Sequence, residues 1–180
     1  MTHAYTDEQL MLRHAQGDDP QAFQELFRRH AKRLHGFFLR STGEDAIAHD
    51  LVQQTFLHVH RARADFRADS HFRGWLYTIA TNVRRELFRR RARKPEAPLD
   101  ALGHREPSVD ADATTVTQRT VRRALQELPE AQREVVVLHW YAGWSFPEIA
   151  QMVGSTHAAV KVRAHRGYER LRALLGEEEG

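Results

Sequence analysis

The chain contains no cysteine, so it can form neither a disulfide nor a thiolate metal site. That usage fits a cytoplasmic protein. No apolar run approaches the length of a membrane span, and no membrane contact is expected. The N-terminus, MTHAYTDEQLML, is acidic early and has no basic segment followed by an apolar run, unlike a secretory leader. The alternating pattern of strands and any internal repeat are also missing. So are a glycine-rich phosphate loop, a Gly-x-Ser-x-Gly elbow and a His-Glu-x-x-His pair. Twelve histidines raise the question of a metal enzyme, but neither His58-Val-His60 nor His30 with His35 has a ligand spacing. The expectation is a chain with no catalytic residue, no cofactor and no metal.

What is present is charge, unevenly spread. The net +3 divides into +5 over residues 1–93, −3 over 94–117 and +1 over 118–180. Six arginines (Arg84, Arg85, Arg89, Arg90, Arg91 and Arg93) fall within ten residues. Such a cluster suits a polyanionic partner. It also suits a solvated helix end, where cations favour the C-terminal dipole. The following interval, KPEAPLDALGHREPSVDADATTVT, holds three prolines and an acidic excess without a sustained apolar period, and reads as a linker. The reading is therefore two domains, 1–93 and 118–180, joined by a flexible linker at 94–117.

Both domains read as helix throughout. Thr6 with Gln9 forms a capping box, and Asp19-Pro20 a cap with a first helical position. Phe23, Leu26, Phe27, Leu34 and Phe38 then make a core stripe. Ser41 with Glu44 is expected to start a helix carrying Ile47, Leu51, Val52, Thr55, Phe56 and Val59. The longest stripe is Phe72, Trp75, Leu76, Ile79, Ala80, Val83 and Leu87. Past the linker, Val121, Leu125 and Leu128 end at Pro129, and Val135, Val136, Leu138 and Trp140 line a further helix.

The segment Ser145 to Arg172 reads as a short helix, a tight turn and a basic helix. Ser145 and Glu148 fit a capping box. Gly154 supplies a positive φ, and Ser155 or Thr156 caps the basic helix. Val160, Ala164, Tyr168, Leu171 and Leu175 face inward, leaving Lys161, His165 and Arg166 as a basic ridge. A helix of this kind suits the DNA major groove; an ordinary helical hairpin with a solvated face is the plainer alternative.

With both halves in view, the chain resembles the extracytoplasmic-function (ECF) group of bacterial sigma factors. The matching pieces are GDDPQAFQELFRRH, HDLVQQTFLHV and FRADSHFRGWLYTIATNVRREL. After the linker come ALQELPEAQREVVVLHWYAGWSFPEIAQMVG and VKVRAHRGYERLR. The resemblance implies an all-α protein of two small domains, regions two and four, the second containing a helix-turn-helix. It implies binding to core RNA polymerase through the β′ clamp helices and the β flap, binding to promoter DNA, and control by an anti-sigma factor. Asp50, Gln53 and Gln54 would dock on the polymerase, Gln54 standing where the family pattern usually has glutamate. Unaided by the resemblance, Asp50 is an ordinary solvated helix residue.

The loop Arg67 to His71 resembles the family's specificity loop for a flipped base of the minus-ten element. Asp69, Ser70 and His71 supply polar edges and Asn82 an amide; Arg84 and Arg85 track phosphates. Tyr77, off the apolar stripe, is the stacking candidate, and Trp75 belongs to the core. Glu86 stands where aspartate is frequent. For the minus-thirty-five element, Lys161 and His165 would face base edges, while Ser155, Thr156, Arg163 and Arg166 contact the backbone. Ala158-Ala159 replaces the usual Gly-Thr, and Val162 a usual serine; valine can touch a thymine methyl but donates no hydrogen bond. A stand-alone helix-turn-helix regulator is the alternative function.

Overall fold

A computed structural model describes residues 5–93 and 116–176, and among these there is no strand. Most of the linker lies outside the described residues. Four helices form the N-terminal half: α1 (Asp7–Gly17), α2 (Pro20–Thr42), α3 (Asp45–Arg61) and α4 (Phe72–Arg93). The C-terminal half holds α5 (Val116–Gln126), α6 (Glu130–Val136), α7 (Phe146–Met152) and α8 (His157–Gly176).

Local chemistry sets the boundaries. The Thr6–Gln9 capping box opens α1, and Asp19 accepts from the Gln21 and Ala22 backbone amides to open α2 at Pro20. Gly43, at φ 79°, ends α2. The expected Ser41–Glu44 start does not occur. Ser41 and Thr42 are buried in the last turn of α2, donating to the Phe37 and Phe38 carbonyls, and Glu44 caps α3 without a side-chain bond. Hydroxyls in a helix interior satisfy themselves on the preceding turn.

The core follows the stripes, with informative exceptions. Leu26, Leu34 and Phe38 are buried, and so is all of the α3 stripe, but Phe27 is exposed. Trp140, expected inside, is exposed, and Trp144 takes the inner place. The cause is a π-helical turn over Val137–Tyr141, where the Ala142 amide donates to the Val137 carbonyl five residues back. One extra residue in that turn rotates the helix face beyond it.

The two halves pack together. Helix α4 is therefore buried on two sides: its apolar stripe faces α3, and Tyr77 and Arg84 are covered by the C-terminal half. The seam is largely polar. Arg133 donates to the Ser41 carbonyl and Gln126 to the Arg40 carbonyl. Arg73 donates to the Ala142 carbonyl and lies over the Trp144 ring, 4.1 Å from its centroid; Arg40 lies 4.0 Å over Tyr141.

Candidate functional site

The first surface is the outer face of α3. Ile47, Ala48, Leu51, Val52, Thr55, Phe56 and Val59 point inward. Helical geometry then forces Asp50, Gln53 and Gln54 outward, and all three are exposed. Leu57 joins them one turn on and is 45% exposed. A search for polar residues on this face passes over it, although its place at i+7 from Asp50 is a usable signal.

The second surface is the loop before α4. Phe66 is buried and packs edge-on against Trp75, with ring centroids 5.2 Å apart, which anchors the start of the loop. The Glu8 carboxylate accepts from the Phe72 amide at 3.1 Å, so α1 caps the first turn of α4. Between these anchors Arg67, Asp69 and His71 are exposed and Ser70 is half-buried. Arg67 and Asp69 pair at 3.1 Å. Asn82 is exposed nearly three turns into α4 and lines a cleft with Gln54, His58, Glu86, Arg89 and Arg90, of about 350 Å³. The cleft thus brings the α3 surface next to the α4 surface. The sequence does not single out His58, Arg89 and Arg90 for this place, because pairing across two helices is invisible along one chain.

Three residues expected on this surface lie elsewhere. Tyr77 is 1% exposed, packed between Phe37 and Trp144, and burial pushes its hydroxyl up. It offers no stacking face in this arrangement. Lying off the first stripe does not leave it exposed, because the C-terminal half covers the second face of α4. Arg84 is fully buried, with Nη1 donating to Glu130 at 2.7 Å and to Glu134 at 3.0 Å. Arg85 holds Glu134 through two nitrogens, at 3.0 and 2.9 Å, and donates to the Val153 carbonyl at 2.8 Å. The expected phosphate trackers therefore grip carboxylates of the other half, an anion in place of an anion.

The third surface is the helix-turn-helix. The Ser145–Glu148 capping box is complete, with Ser145 Oγ 2.6 Å from Glu148 Oε2. Those bonds hold the Glu148 carboxyl below its ordinary range. Its folded-state value is lowered, so the contribution is present above the ordinary carboxylate range and lost as pH falls from there through the lowered value. Ser145→Ala is expected to destabilise the C-terminal half by about 1 kcal/mol in urea unfolding at neutral pH, with a smaller difference from the parent chain near pH 3.

Gly154 takes φ 60° in the turn, and Thr156 Oγ1 accepts from the Ala159 amide to cap α8. Val160, Ala164 and Gly167 are buried; a Cβ at Gly167 would meet Val136 Cγ2 at 2.7 Å, which is how closely α8 approaches α6. Outward stand Thr156, Lys161, Val162, His165 and Arg166, with Ser155 and Arg163 half-buried. Val162 is 48% exposed, and His165 pairs with Glu169 at 3.3 Å.

The comparisons with known proteins agree with this geometry. The family description "Sigma-70 region 2" matches residues 26–94, and "Sigma-70, region 4" matches residues 118–171. The chain is 42% identical over 164 residues to RNA polymerase sigma factor CarQ of Myxococcus xanthus, covering 88% of this chain and 91% of CarQ. It is 36% identical to the ECF sigma factor SigM of Mycobacterium tuberculosis, covering 97% of this chain and 87% of SigM. Among solved structures, CnrH in complex with the cytosolic domain of CnrY superposes with TM-score 0.71 at 32% identity, covering 95% and 97% of the two chains. The sigma factor RpoE of Bartonella quintana, in complex with the anti-sigma factor NepR, gives TM-score 0.71 at 26% identity, covering 87% and 98%. A stand-alone helix-turn-helix regulator accounts for the second match only, and is not favoured. The chain belongs to the ECF sigma factors, the subunits that bind core RNA polymerase and direct it to promoter DNA to begin transcription.

Proposed function

We propose that the three surfaces divide the work of initiation. Asp50, Gln53 and Gln54, with Leu57 beside them, dock on core polymerase. The loop Arg67, Asp69, Ser70 and His71, with Asn82, holds an unpaired base of the minus-ten element. Ser155, Thr156, Lys161, Val162, Arg163, His165 and Arg166 read the minus-thirty-five duplex. The chain works as a binding subunit with no chemistry of its own, in the cytoplasm, as domains 1–93 and 118–180 with the linker 94–117 between them. Control by an anti-sigma factor is supported by two relatives solved in complexes, CnrH with CnrY and RpoE with NepR.

The observation that carries this reading is the exposure of all three surfaces on separate elements, while Tyr77, Arg84 and Arg85 are engaged between the halves. Tyr77 and Arg84 reach DNA only after the halves separate, and Arg85 only by giving up its pair with Glu134. The packed arrangement is then a resting state, and polymerase binding, which must hold two promoter elements apart, draws the halves from one another.

Binding of fluorescently labelled chain to core polymerase tests the α3 assignment. Asp50→Ala is expected to weaken binding roughly tenfold or more, the loss of one charge-assisted contact. Lys161→Ala is expected to leave it unchanged. Equal binding by the Asp50 variant and the parent chain would remove Asp50 from the docking surface.

A further inference from the structure

We propose that His35, Asp45 and His49 form a binding site for one divalent transition-metal ion of the zinc, cobalt and nickel class, at the corner where α2 meets α3. Neither spacing rejected in the sequence describes it: one ligand comes from α2 and two, a turn apart, from the start of α3. His35 Nε2 lies 2.9 Å from Asp45 Oδ1, and His49 Nδ1 lies 3.3 Å from Asp45 Oδ2 and 3.0 Å from the Asp45 backbone carbonyl, a contact that a bound cation replaces. The ligand atoms all fall within 4.8 Å of one another. Metal–ligand bonds of about 2.0–2.1 Å at tetrahedral angles place neighbouring ligand atoms about 3.3 Å apart, close to these separations.

A second observation points to the same place. His35 Nε2 is buried, and its one neighbour of opposite charge, the Asp45 carboxylate at 2.9 Å, is poorly aligned for a hydrogen bond. A buried polar atom without a partner is uncommon and calls for one. A cation between the three groups gives it one. Two imidazoles and one carboxylate are the donor set of zinc-class ions, with a position left for water. Arg122 of α5 lies within electrostatic reach of His35. Arg122 opposes a cation nearby, and the Asp45 carboxylate offsets it. Asp45 and His49 are exposed, which leaves an entry path.

His14, Asp18 and His60 form the other such cluster among the described residues, and it fits less well. His14 Nε2 is already bonded to His60 Nδ1 at 3.0 Å, while Asp18 faces the opposite ring nitrogen at 3.9 Å. No single point serves both edges of the ring. Occupancy of the first cluster would instead pin the first turn of α3 to α2, one residue before Asp50.

Calorimetric titration of the untagged full-length chain with zinc alone tests the site, with cobalt absorption in the visible region as a second readout. One zinc per chain is expected. His49→Ala and Asp45→Asn should each lower affinity by at least the roughly 10–100-fold that loss of an outer-shell partner costs, and His60→Ala should leave it unchanged. His49 is exposed, so its variant keeps the fold, which circular dichroism verifies. Zinc should raise the Tm of the parent chain and not of the His49 variant. Failure of the parent chain to bind one equivalent, equal affinity in the His49 variant, or loss of binding in the His60 variant would each overturn the proposal.

Discussion

Glu134→Ala separates the two halves of the free chain. Glu134 is 2% exposed and holds Arg84 and Arg85 together. Without it, Arg84 keeps one contact with Glu130, and its Nε and Nη2 already have no partner in the buried seam. The Phe88 ring, 4.7 Å from the guanidinium carbon, is a weak substitute. Breaking a buried ion pair from one side costs about 3–5 kcal/mol, because a desolvated charge is stranded. Either half can escape that cost by moving apart and returning the arginine to water. The expected result is therefore opening rather than unfolding: a larger radius of gyration by small-angle scattering, with helical circular dichroism kept. Affinity for single-stranded DNA should rise, since two arginines are released to meet phosphates. Unchanged scattering in the variant would mean that the seam is held by something other than this charge cluster.

The second large effect belongs to α8. Lys161 and His165 stand one turn apart on its exposed ridge, and each base-edge contact is worth about 1–3 kcal/mol. The double substitution Lys161→Ala with His165→Ala should weaken the holoenzyme on its minus-thirty-five element by roughly 30-fold or more. It should leave binding to core polymerase intact. Arg166→Ala should act differently, weakening all duplexes alike and lowering the slope of log affinity against log salt by about 1. Val162, exposed on the same face, presents methyls in place of a hydroxyl, so its contribution falls on thymine. A double variant that lost core binding, or that weakened every sequence equally, would contradict the base-reading role.

Much of the fold is legible in the sequence because it rests on local chemistry. The capping boxes at Thr6 and Ser145, the Asp19-Pro20 start and the Gly154 turn involve groups three or four residues apart, and all four are present in the structure. The exposed α3 face follows from its buried stripe by helical geometry. What escapes is long-range. Tyr77 and Arg84 lie off the stripe of α4 and read as surface, yet a second domain covers them. Trp144 takes the inner place expected of Trp140 because a π-helical turn shifts the register, and nothing in the valine run announces it. Glu8 caps α4 from 64 residues away. The His35–Asp45–His49 corner exists only once α2 folds back on α3.

The absence of cysteine makes the decisive measurement simple, since introduced thiols are the only ones to label. Arg61→Cys on α3 and Arg170→Cys on α8 are both at exposed positions, one in each half. Spin labels there report the distance between the halves by pulsed electron resonance. One narrow distribution is expected for the free chain and a longer one, with the free-chain population gone, for the chain bound to core polymerase and promoter DNA. The same distance in both states would contradict that separation, because Tyr77 and Arg84 would then stay buried, and Arg85 paired with Glu134, while the promoter opens.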